Sequence, residues 1–173
     1  MNEQEALLNY VRQSSPEVNI ILRTNNGNLE GKTFDGLFTI GDVPCPLYRI
    51  INNDYVIISE GNIITDPAYL SCTSDLDNVI NHVDGTHIAC LKIKIEAPLP
   101  HINVHKRLPN QNDEGEFILP RGSRLLLTGT THYQEINGIQ QFLYDERSLL
   151  GVNALMELYH INEITTYEVT YLE

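Results

Sequence analysis

The chain has 173 residues, of which 42% are hydrophobic and 20% are charged. This length and composition are typical of one soluble globular domain with its own hydrophobic core. The 11 Lys and Arg residues against 23 Asp and Glu residues give a net charge of −12. Because binding to nucleic acid or to an acidic membrane depends on basic side chains, this charge argues against both partners. It leaves room for a local basic pocket that binds one small phosphate ligand.

The three cysteines, Cys45, Cys72 and Cys90, cannot all pair internally and show no metal-type spacing. Reduced thiols in a reducing compartment are the simplest interpretation, and we expect no metal site. The N-terminus has neither the basic start nor the apolar run of a signal peptide, and no apolar run approaches the ~20 residues that span a bilayer. We therefore expect a cytoplasmic protein, or one delivered into a target cell by a route without a signal peptide.

The first segment of the chain predicts helices. Apolar residues at helical spacing indicate an amphipathic helix over Asn2–Gln13. Residues 14–16, Ser-Ser-Pro, predict a break in that helix, and the apolar residues after them predict a second short helix that ends at Arg23. The polar, glycine-rich residues 25–32 predict a loop.

The next clear element is a strand that carries a charge. Leu47–Ile51 is apolar except for Arg49. Strand alternation places Arg49 on the same face as Leu47 and Ile51, so if that face is buried the guanidinium needs a partner or an anionic ligand. The alternative is an edge-strand arginine that faces solvent.

A later strand, Tyr69–Ser74, carries polar groups on one face. Alternation places Tyr69, Ser71 and Thr73 together on that face. An aromatic ring and two hydroxyls can orient a polar ligand or a neighbouring carboxylate. The alternative is that the hydroxyls bond only to the backbone, which is common for Ser and Thr.

The remaining segments complete an α+β pattern. In chain order they predict a short extended segment over Tyr55–Ser59, a helix from Ser74 or Asp75 to Val83, strands over His87–Glu96, Ile102–Arg107, Ser123–Thr128 and Thr130–Glu135, a hairpin turn at Asn137–Gly138 into Gln140–Tyr144, a helix over Asp145–Tyr159 and a closing strand over Ile164–Leu172. Helices first and then mostly strands favour one α+β domain, residues 1–173, with a mixed or antiparallel sheet.

Two carboxylates stand where a polar loop meets a short apolar strand. The loop runs from Pro109 to Gly115 and contains Glu114, and the strand starts at Glu116 and ends in a Pro-Arg-Gly turn at residues 120–122. Along an extended backbone, residues i and i+2 point to the same side, which predicts that both acids reach the same space. Such a pair suits chemistry at a developing positive charge; the alternative is a pair of solvated acids.

Three motifs, in this order, resemble the arginine–serine–glutamate class of mono-ADP-ribosyltransferases of toxin, effector or phage type. They are Leu-Tyr-Arg at 47–49, Tyr-Leu-Ser-Cys-Thr at 69–73 and Glu-Gly-Glu-Phe-Ile-Leu-Pro-Arg-Gly at 114–122. Tyr10, Val18-Asn19 and Leu22-Arg23 fit the family's helical entry, and residues 165–171 suit its last strand. The resemblance implies an ADP-ribosyltransferase-like fold, with a helical N-terminal part followed by two small mixed or antiparallel sheets around an NAD cleft.

The resemblance also implies a role for each motif residue. Arg49 would bind NAD through a charge-assisted fork. Ser71 would orient the catalytic glutamate, with Thr73 beside it lining the cofactor site. Glu116 would bond the 2′-hydroxyl of the nicotinamide ribose and stabilise the oxocarbenium that develops as nicotinamide leaves. Glu114 would stand on the acceptor side, and relatives with glutamate there typically modify arginine.

Three points of this assignment stay open. The family commonly shows Ser-Thr-Ser, and aligning Ser71 as its first serine competes with a frame over residues 72–74 that puts the Cys72 thiol at the orienting position. Tyr69, assigned to the cofactor site, or Tyr55 would stack on nicotinamide, with core packing as the alternative. Residues 140–160 exceed a minimal member of the family and are either a target- or partner-binding element or additional packing.

The resulting functional hypothesis is an NAD-dependent protein-arginine mono-ADP-ribosyltransferase that uses NAD as a substrate and releases nicotinamide. Its expected partners are NAD, a target protein that presents an arginine, and a cognate immunity or inhibitor protein. The alternatives are an NAD glycohydrolase, a transferase to a nucleobase or small molecule, and a catalytically silent domain that binds NAD or a protein. The enzyme hypothesis requires Arg49, Ser71 and Glu116 to meet in one cleft, with Glu114 at its rim.

Overall fold

The computed structural model describes residues 2–24, 29–52, 57–58, 60–80, 83 and 85–173. Tyr55 and most of the extended segment predicted around it lie outside the described residues, as do parts of the loop predicted over residues 25–32 and of the helix predicted to reach Val83. Within the described residues, no helix is both long and apolar enough to cross a membrane.

The N-terminal part is helical, as the sequence predicts, but it has no break. Helix α1 (Glu3–Asn9) begins with a capping box formed by Asn2 and Glu5. It continues through a π-helical turn (Tyr10–Ser14) into α2 (Ser15–Thr24). The break predicted at residues 14–16 is wrong: the helix continues through the π-helical turn, where the Ser15 N–H bonds the Tyr10 carbonyl, and Pro16 is the second residue of α2.

In the part of the chain that the structure describes, ten strands form one sheet. The strands are β1 (Thr39–Gly41), β2 (Leu47–Ile50), β3 (Ile57–Ile58), β4 (Ile63–Thr65), β5 (Leu70–Thr73), β6 (His87–Lys94), β7 (Leu99–Asn103), β8 (Glu116–Leu119), β9 (Arg124–Gln134) and β10 (Glu163–Leu172). Their order is β1-β7-β8-β5-β2-β6-β10-β9-β4-β3. Only β6 and β10 run parallel among the pairs whose direction is described.

The two small sheets predicted from the sequence are the two halves of this continuous order. The halves join between β2 and β5 through a single residue pair, Tyr48 with Thr73. They also pack against each other, because one core cluster draws its buried side chains from β2 and from β4 to β10. The hydrogen bonding is therefore continuous, while the packing is that of two facing sheets.

Helices cover the outer sides of the halves. The N-terminal helices pack on β7, on β8 and on Tyr69, which directly precedes β5. Helix α5 (Glu135–Asp145) packs on β6, β9 and β10, together with the short α3 (Asp77–Ile80). The strands predicted over residues 87–96 and 164–172 are confirmed as β6 and β10, and β10 lies inside the sheet between β6 and β9.

The hairpin predicted at Asn137–Gly138 is wrong, because this segment is the middle of α5. Ile139, Phe142 and Leu143 are buried at helical spacing. A Cβ on Gly138 would lie 3.0 Å from the carbonyl carbon of Tyr133. The glycine therefore allows α5 to approach the end of β9 closely, rather than forming a β-turn.

Two further predicted elements differ from the structure. The helix predicted over Asp145–Tyr159 is wrong: α5 ends at Asp145, and only a π-helical turn follows, at Ala154–Leu158. The strand predicted over residues 102–107 splits into the end of β7 and α4 (Val104–Arg107). Helix α4 starts there because the Asn103 side chain caps it by accepting the Lys106 N–H.

Candidate functional site

A cavity of about 200 Å³ opens where the two halves of the sheet meet. Strands β2 and β5 form the walls of this cavity where they are no longer paired. The loop before β8 and the first residue of β8 line it as well. The lining residues are Tyr48, Arg49, Ile50, Ser71, Cys72, Thr73, Glu114 and Glu116. All three sequence motifs therefore contribute to one cavity, and the narrowest point of the sheet leaves the space for it.

Arg49 bridges the two strands. Its Nη1 donates a hydrogen bond of 2.8 Å to the Ser71 carbonyl oxygen on β5. The side chain is half-buried, and its positive charge lowers the pKa of Glu116. The Arg49 side chain therefore points inward, which is one of the two orientations considered from the sequence. The alternative, an edge-strand arginine that faces solvent, is not observed, because β2 lies between β5 and β6.

Ser71 and Glu116 are brought together by the register of β5 and β8. Thr73 lies opposite Glu116 and Ser71 lies opposite Ile118, so Ser71 and Glu116 are diagonal neighbours within reach of a long side chain. The Ser71 side chain hydrogen-bonds Glu116 and lowers its pKa. A two-residue offset between paired strands thus places a hydroxyl beside a carboxylate.

Cys72 points away from this hydroxyl. Its side chain belongs to the strand core, and the residue is 3% exposed. Burial raises the pKa of its thiol to about 12. A protonated thiol in the core is poorly suited to orient a carboxylate in the cavity, so the geometry favours the alignment on Ser71.

Glu116 is the carboxylate of the site whose pKa is raised. Burial raises its pKa, and the negative charge of Glu114 raises it further; the hydrogen bond from Ser71 and the charge of Arg49 act in the opposite direction. Perturbed acids in clefts are candidates for catalytic groups. Glu116 is such a candidate because its carboxylate is largely buried in the cavity and interacts there with Ser71 and Arg49.

Glu114 and Glu116 reach the same cavity for a reason other than the one predicted. Gly115 between them has a φ of +64°, so the backbone is not extended and simple alternation does not apply. A Cβ on Gly115 would lie 2.8 Å from Ser74 Oγ. The turn leaves Glu114 exposed at the rim, while Glu116 is half-buried inside.

Thr73 lines the cavity, but its hydroxyl is engaged with the backbone. Its Oγ1 lies 3.1 Å from the carbonyl oxygens of both Glu114 and Asp75, and it accepts the Asp75 N–H at 2.9 Å. The hydroxyl therefore anchors the segment that carries Glu114. For Thr73, the alternative in which the hydroxyl bonds only to the backbone is therefore the one observed. No contact in the described residues supports a direct bond from this hydroxyl to a cofactor.

Tyr69 does not reach the cavity, which corrects its assignment to the cofactor site. The residue is 0% exposed, and its ring stacks on Phe34 at a centroid distance of 4.1 Å. Its hydroxyl donates to Asp35 and accepts the Phe34 N–H. Alternation does put Tyr69 on the face of Ser71, but the N-terminal helices cover that end of the strand.

Sequence reasoning missed three residues around the site. Tyr48 and Ile50 line the cavity, although nothing in their local pattern marks them. Tyr10 approaches Ser71 from the π-helical turn, with 3.3 Å between Tyr10 Oη and Ser71 Oγ. Tyr10 belonged to the helical entry pattern, so its presence was noted, but its contact with Ser71 depends on the tertiary packing.

No protein-family model matches the chain, and no curated protein matches it. Solved structures do. The Salmonella SpvB ATR domain shares 18% identity over 99% of this chain and 98% of that chain, with a TM-score of 0.64. ADP-ribosyltransferase Vis in complex with agmatine shares 12% identity over 99% and 74%, with a TM-score of 0.59.

A third similar structure is C3stau2 from S. aureus, solved with NAD, at 16% identity over 98% of this chain and 87% of that chain and a TM-score of 0.57. At these identities the similarity establishes the fold alone. The predicted ADP-ribosyltransferase-like α+β fold is confirmed.

Proposed function

We propose that the protein is an NAD-dependent mono-ADP-ribosyltransferase that transfers ADP-ribose from NAD to a protein arginine. The observation that carries the proposal is the convergence of Arg49, Ser71 and Glu116 in one cavity, with Glu114 at its rim. The same fold occurs in C3stau2, which was solved with NAD, and in ADP-ribosyltransferase Vis. Fold and side chains support the same chemistry.

NAD would enter the cavity with its nicotinamide riboside end. The volume of about 200 Å³ lies below the ~300–1,000 Å³ of pockets that enclose a drug-sized ligand, so the remainder of NAD would lie on the surface outside. Arg49, whose guanidinium reaches across the cavity wall to β5, would hold a phosphate or ribose oxygen there. The net charge of −12 disfavours non-specific binding of an anion.

Glu116 would stabilise the charge that develops during NAD cleavage. The bond between the ribose C1′ and the nicotinamide nitrogen breaks, the electron pair leaves with nicotinamide, and positive charge spreads over C1′ and the ring oxygen. An ionised Glu116 that accepts a hydrogen bond from the ribose 2′-hydroxyl would lie beside this charge. A fixed carboxylate in a partly dry cavity stabilises such a transition state strongly.

Glu114 would receive the acceptor. It is exposed at the rim, where a guanidinium from another protein can reach it. Because an arginine side chain stays protonated in proteins, Glu114 would position the protonated guanidinium and take its proton only as the nitrogen bonds to C1′. The agmatine in the Vis complex is itself a guanidinium compound, which supports this acceptor class.

The experiment that tests the proposal combines labelled NAD, a cell lysate and three variants. We expect Glu116→Gln to abolish both nicotinamide release and protein labelling. Glu114→Gln should retain much of the nicotinamide release while labelling is lost. Glu96→Gln, an exposed acid after β6 that pairs with the exposed Lys94, serves as the control and should behave as the wild type.

Each outcome separates the competing functions. Nicotinamide release without any labelled protein would favour an NAD glycohydrolase. Equal loss of release in the Glu114 and Glu116 variants would contradict the division of roles. A wild-type protein that binds NAD without cleaving it would support a silent binding domain and overturn the enzyme proposal.

A further inference from the structure

A chain of hydrogen bonds leads from the N-terminal helices to the cavity. Asn19 Nδ2 donates to Tyr10 Oη at 2.9 Å, and Tyr10 Oη lies 3.3 Å from Ser71 Oγ. Tyr10 is 1% exposed and Asn19 is 5% exposed. The chain therefore runs through the interior, where each hydrogen bond is stronger than in water.

The donors in this chain all point toward Glu116. The contact between Tyr10 Oη and Ser71 Oγ allows either oxygen to donate, so the direction is set at the other end of the chain. An ionised Glu116 can only accept, so Ser71 gives its single hydroxyl proton to that carboxylate. Ser71 Oγ then accepts from the Tyr10 hydroxyl, which itself accepts from Asn19. Hydrogen bonds aligned in one direction polarise one another, so the Asn19 and Tyr10 groups strengthen the donor that faces the carboxylate.

The surroundings leave Tyr10 little freedom. Its ring makes edge contacts with Phe34 and Tyr69, at centroid distances of 5.1 and 5.6 Å. The oxygen of the Asn19 amide, Oδ1, is buried and has no hydrogen-bond partner among the described residues. An unsatisfied buried acceptor lowers stability, so Asn19 is placed at the expense of stability, as a group with a functional role often is.

We propose that Tyr10 and Asn19 are positioning residues of the NAD-cleaving site, acting through Ser71 to keep the Glu116 carboxylate ionised and oriented toward the cavity. The inference rests on the proposed function, because it gives these two residues a role in that same site. Neither side chain lines the cavity, so their action is indirect.

The other groups that face Glu116 come from three elements. Arg49 on β2 favours the carboxylate, Glu114 in the preceding loop opposes it, and Cys72 on β5 is buried nearby as a thiol. The hydrogen bond from Ser71 lowers the pKa of Glu116 more than the charge of Arg49 does. A change in how well Ser71 donates should therefore alter the ionisation of Glu116 measurably.

The test measures the pKa of Glu116 directly, by following its carboxyl carbon with NMR over a pH series without NAD. We expect Tyr10→Phe to raise this pKa, by less than Ser71→Ala does. In the double variant, Tyr10→Phe should add nothing to Ser71→Ala, because the path to Glu116 is already interrupted. Tyr69→Phe is the matched control: it removes a buried hydroxyl from the same aromatic cluster but one bonded to Asp35, and the pKa should stay at the wild-type value.

The same variants are then assayed for NAD cleavage. Tyr10→Phe should lose roughly 2- to 10-fold in kcat at neutral pH, the rate equivalent of one hydrogen bond, and the acid limb of its pH profile should move to higher pH. Tyr69→Phe should keep the wild-type kcat and the wild-type pH profile. If Tyr10→Phe does not fold, site-specific 3,5-difluorotyrosine at position 10, a stronger donor of similar size, should lower the pKa of Glu116.

An unchanged pKa of Glu116 in a folded Tyr10→Phe variant would overturn the inference. So would an equal shift in Tyr69→Phe, or an effect of Tyr10→Phe that persists without the Ser71 hydroxyl. The titration needs no substrate, so absence of NAD cleavage in the wild type would defeat the proposed function alone.

Discussion

At the scale of single residues, Glu116 shows a conflict between folding and the proposed chemistry. The proposed role needs an ionised carboxylate, whereas burial and Glu114 raise its pKa. A carboxyl whose pKa is higher in the folded state than in the unfolded state favours the fold when it is protonated, and that stabilisation is lost as the pH rises through its folded-state pKa. At neutral pH, the ionised Glu116 therefore costs stability.

Replacing Glu116 with glutamine removes this cost, because the amide stays neutral. We expect Glu116→Gln to have a higher melting temperature than the wild type at neutral pH. The difference should shrink as the pH falls below the ordinary range of a glutamate, where the wild-type carboxyl is protonated as well. Thermal unfolding over a pH series checks this, with Glu96→Gln as the surface control; a lower melting temperature of Glu116→Gln at neutral pH would contradict it.

Gly115 separates the two acids, and its backbone conformation sets their different positions. A side chain at a φ of +64° costs about 1–2 kcal/mol, and a Cβ at Gly115 would also approach Ser74 Oγ. We expect Gly115→Ala to lose more transfer activity than NAD cleavage, because the strain displaces Glu114 first.

Gly122 offers a matched control for that variant. Its φ is also positive, +76°, but a Cβ there meets nothing within 4 Å. Gly122→Ala should lose a similar amount of stability in a denaturant titration while keeping the ratio of transfer to cleavage. If the ratio falls equally in both variants, the local explanation for Gly115 is wrong.

At the scale of elements, an ion pair attaches the N-terminal helices to the sheet. Arg23 on α2 makes two hydrogen bonds to Asp66, which follows β4, and their side chains are only 11% and 4% exposed. Asp66 also accepts the Ala68 N–H, and its carbonyl accepts the Gly122 N–H. The pair therefore helps hold the helices that carry Tyr10 against β5.

Removing Asp66 takes away the carboxylate that accepts two hydrogen bonds from the mostly buried Arg23 guanidinium. We expect Asp66→Ala to lower the free energy of unfolding by about 3–5 kcal/mol. The control is Glu17→Ala, which breaks the exposed pair between Glu17 and Lys32 and should cost about 0–1 kcal/mol. Chemical denaturation measures both; similar losses in the two variants would show that burial does not set the value of the Arg23–Asp66 pair.

At the scale of the whole molecule, the two halves of the sheet share one core cluster built from β2 and from β4 to β10. Because a shared core favours cooperative unfolding, we predict that the chain behaves as a single domain. We expect one cooperative thermal transition, with coincident curves from far-ultraviolet and tyrosine near-ultraviolet circular dichroism. Two separated transitions would indicate that the halves, or the N-terminal helices, unfold independently.

The segment over residues 140–160 links the surface to the cavity. Tyr48, which lines the cavity, donates a 2.7 Å hydrogen bond to Glu146, and Glu146 also pairs with Lys92. Nearby, Tyr144 and Leu149 are 81% and 94% exposed. A role of this segment in binding the target or an inhibitor protein stays a prediction, as does delivery into a target cell.

The sequence by itself determined the strands that carry the site and the residue types in it. Alternation identified β2, β5, β6 and β10, and the three motifs, through their resemblance to a known family, indicated which residue types would form the site. These features are local: a two-residue period or a short motif is complete within a few residues and needs no knowledge of the partner strand.

The tertiary structure alone decided which of those side chains reach the cavity. Tyr69 and Ser71 share a strand face, but the N-terminal helices cover one and leave the other at the cavity edge. Asn137–Gly138 is equally compatible with a hairpin turn and with a helix that approaches β9 closely, and only the packing of α5 distinguishes them. Which surface covers a given face, and in which register two strands pair, depends on contacts between residues far apart in the chain, which no local pattern records.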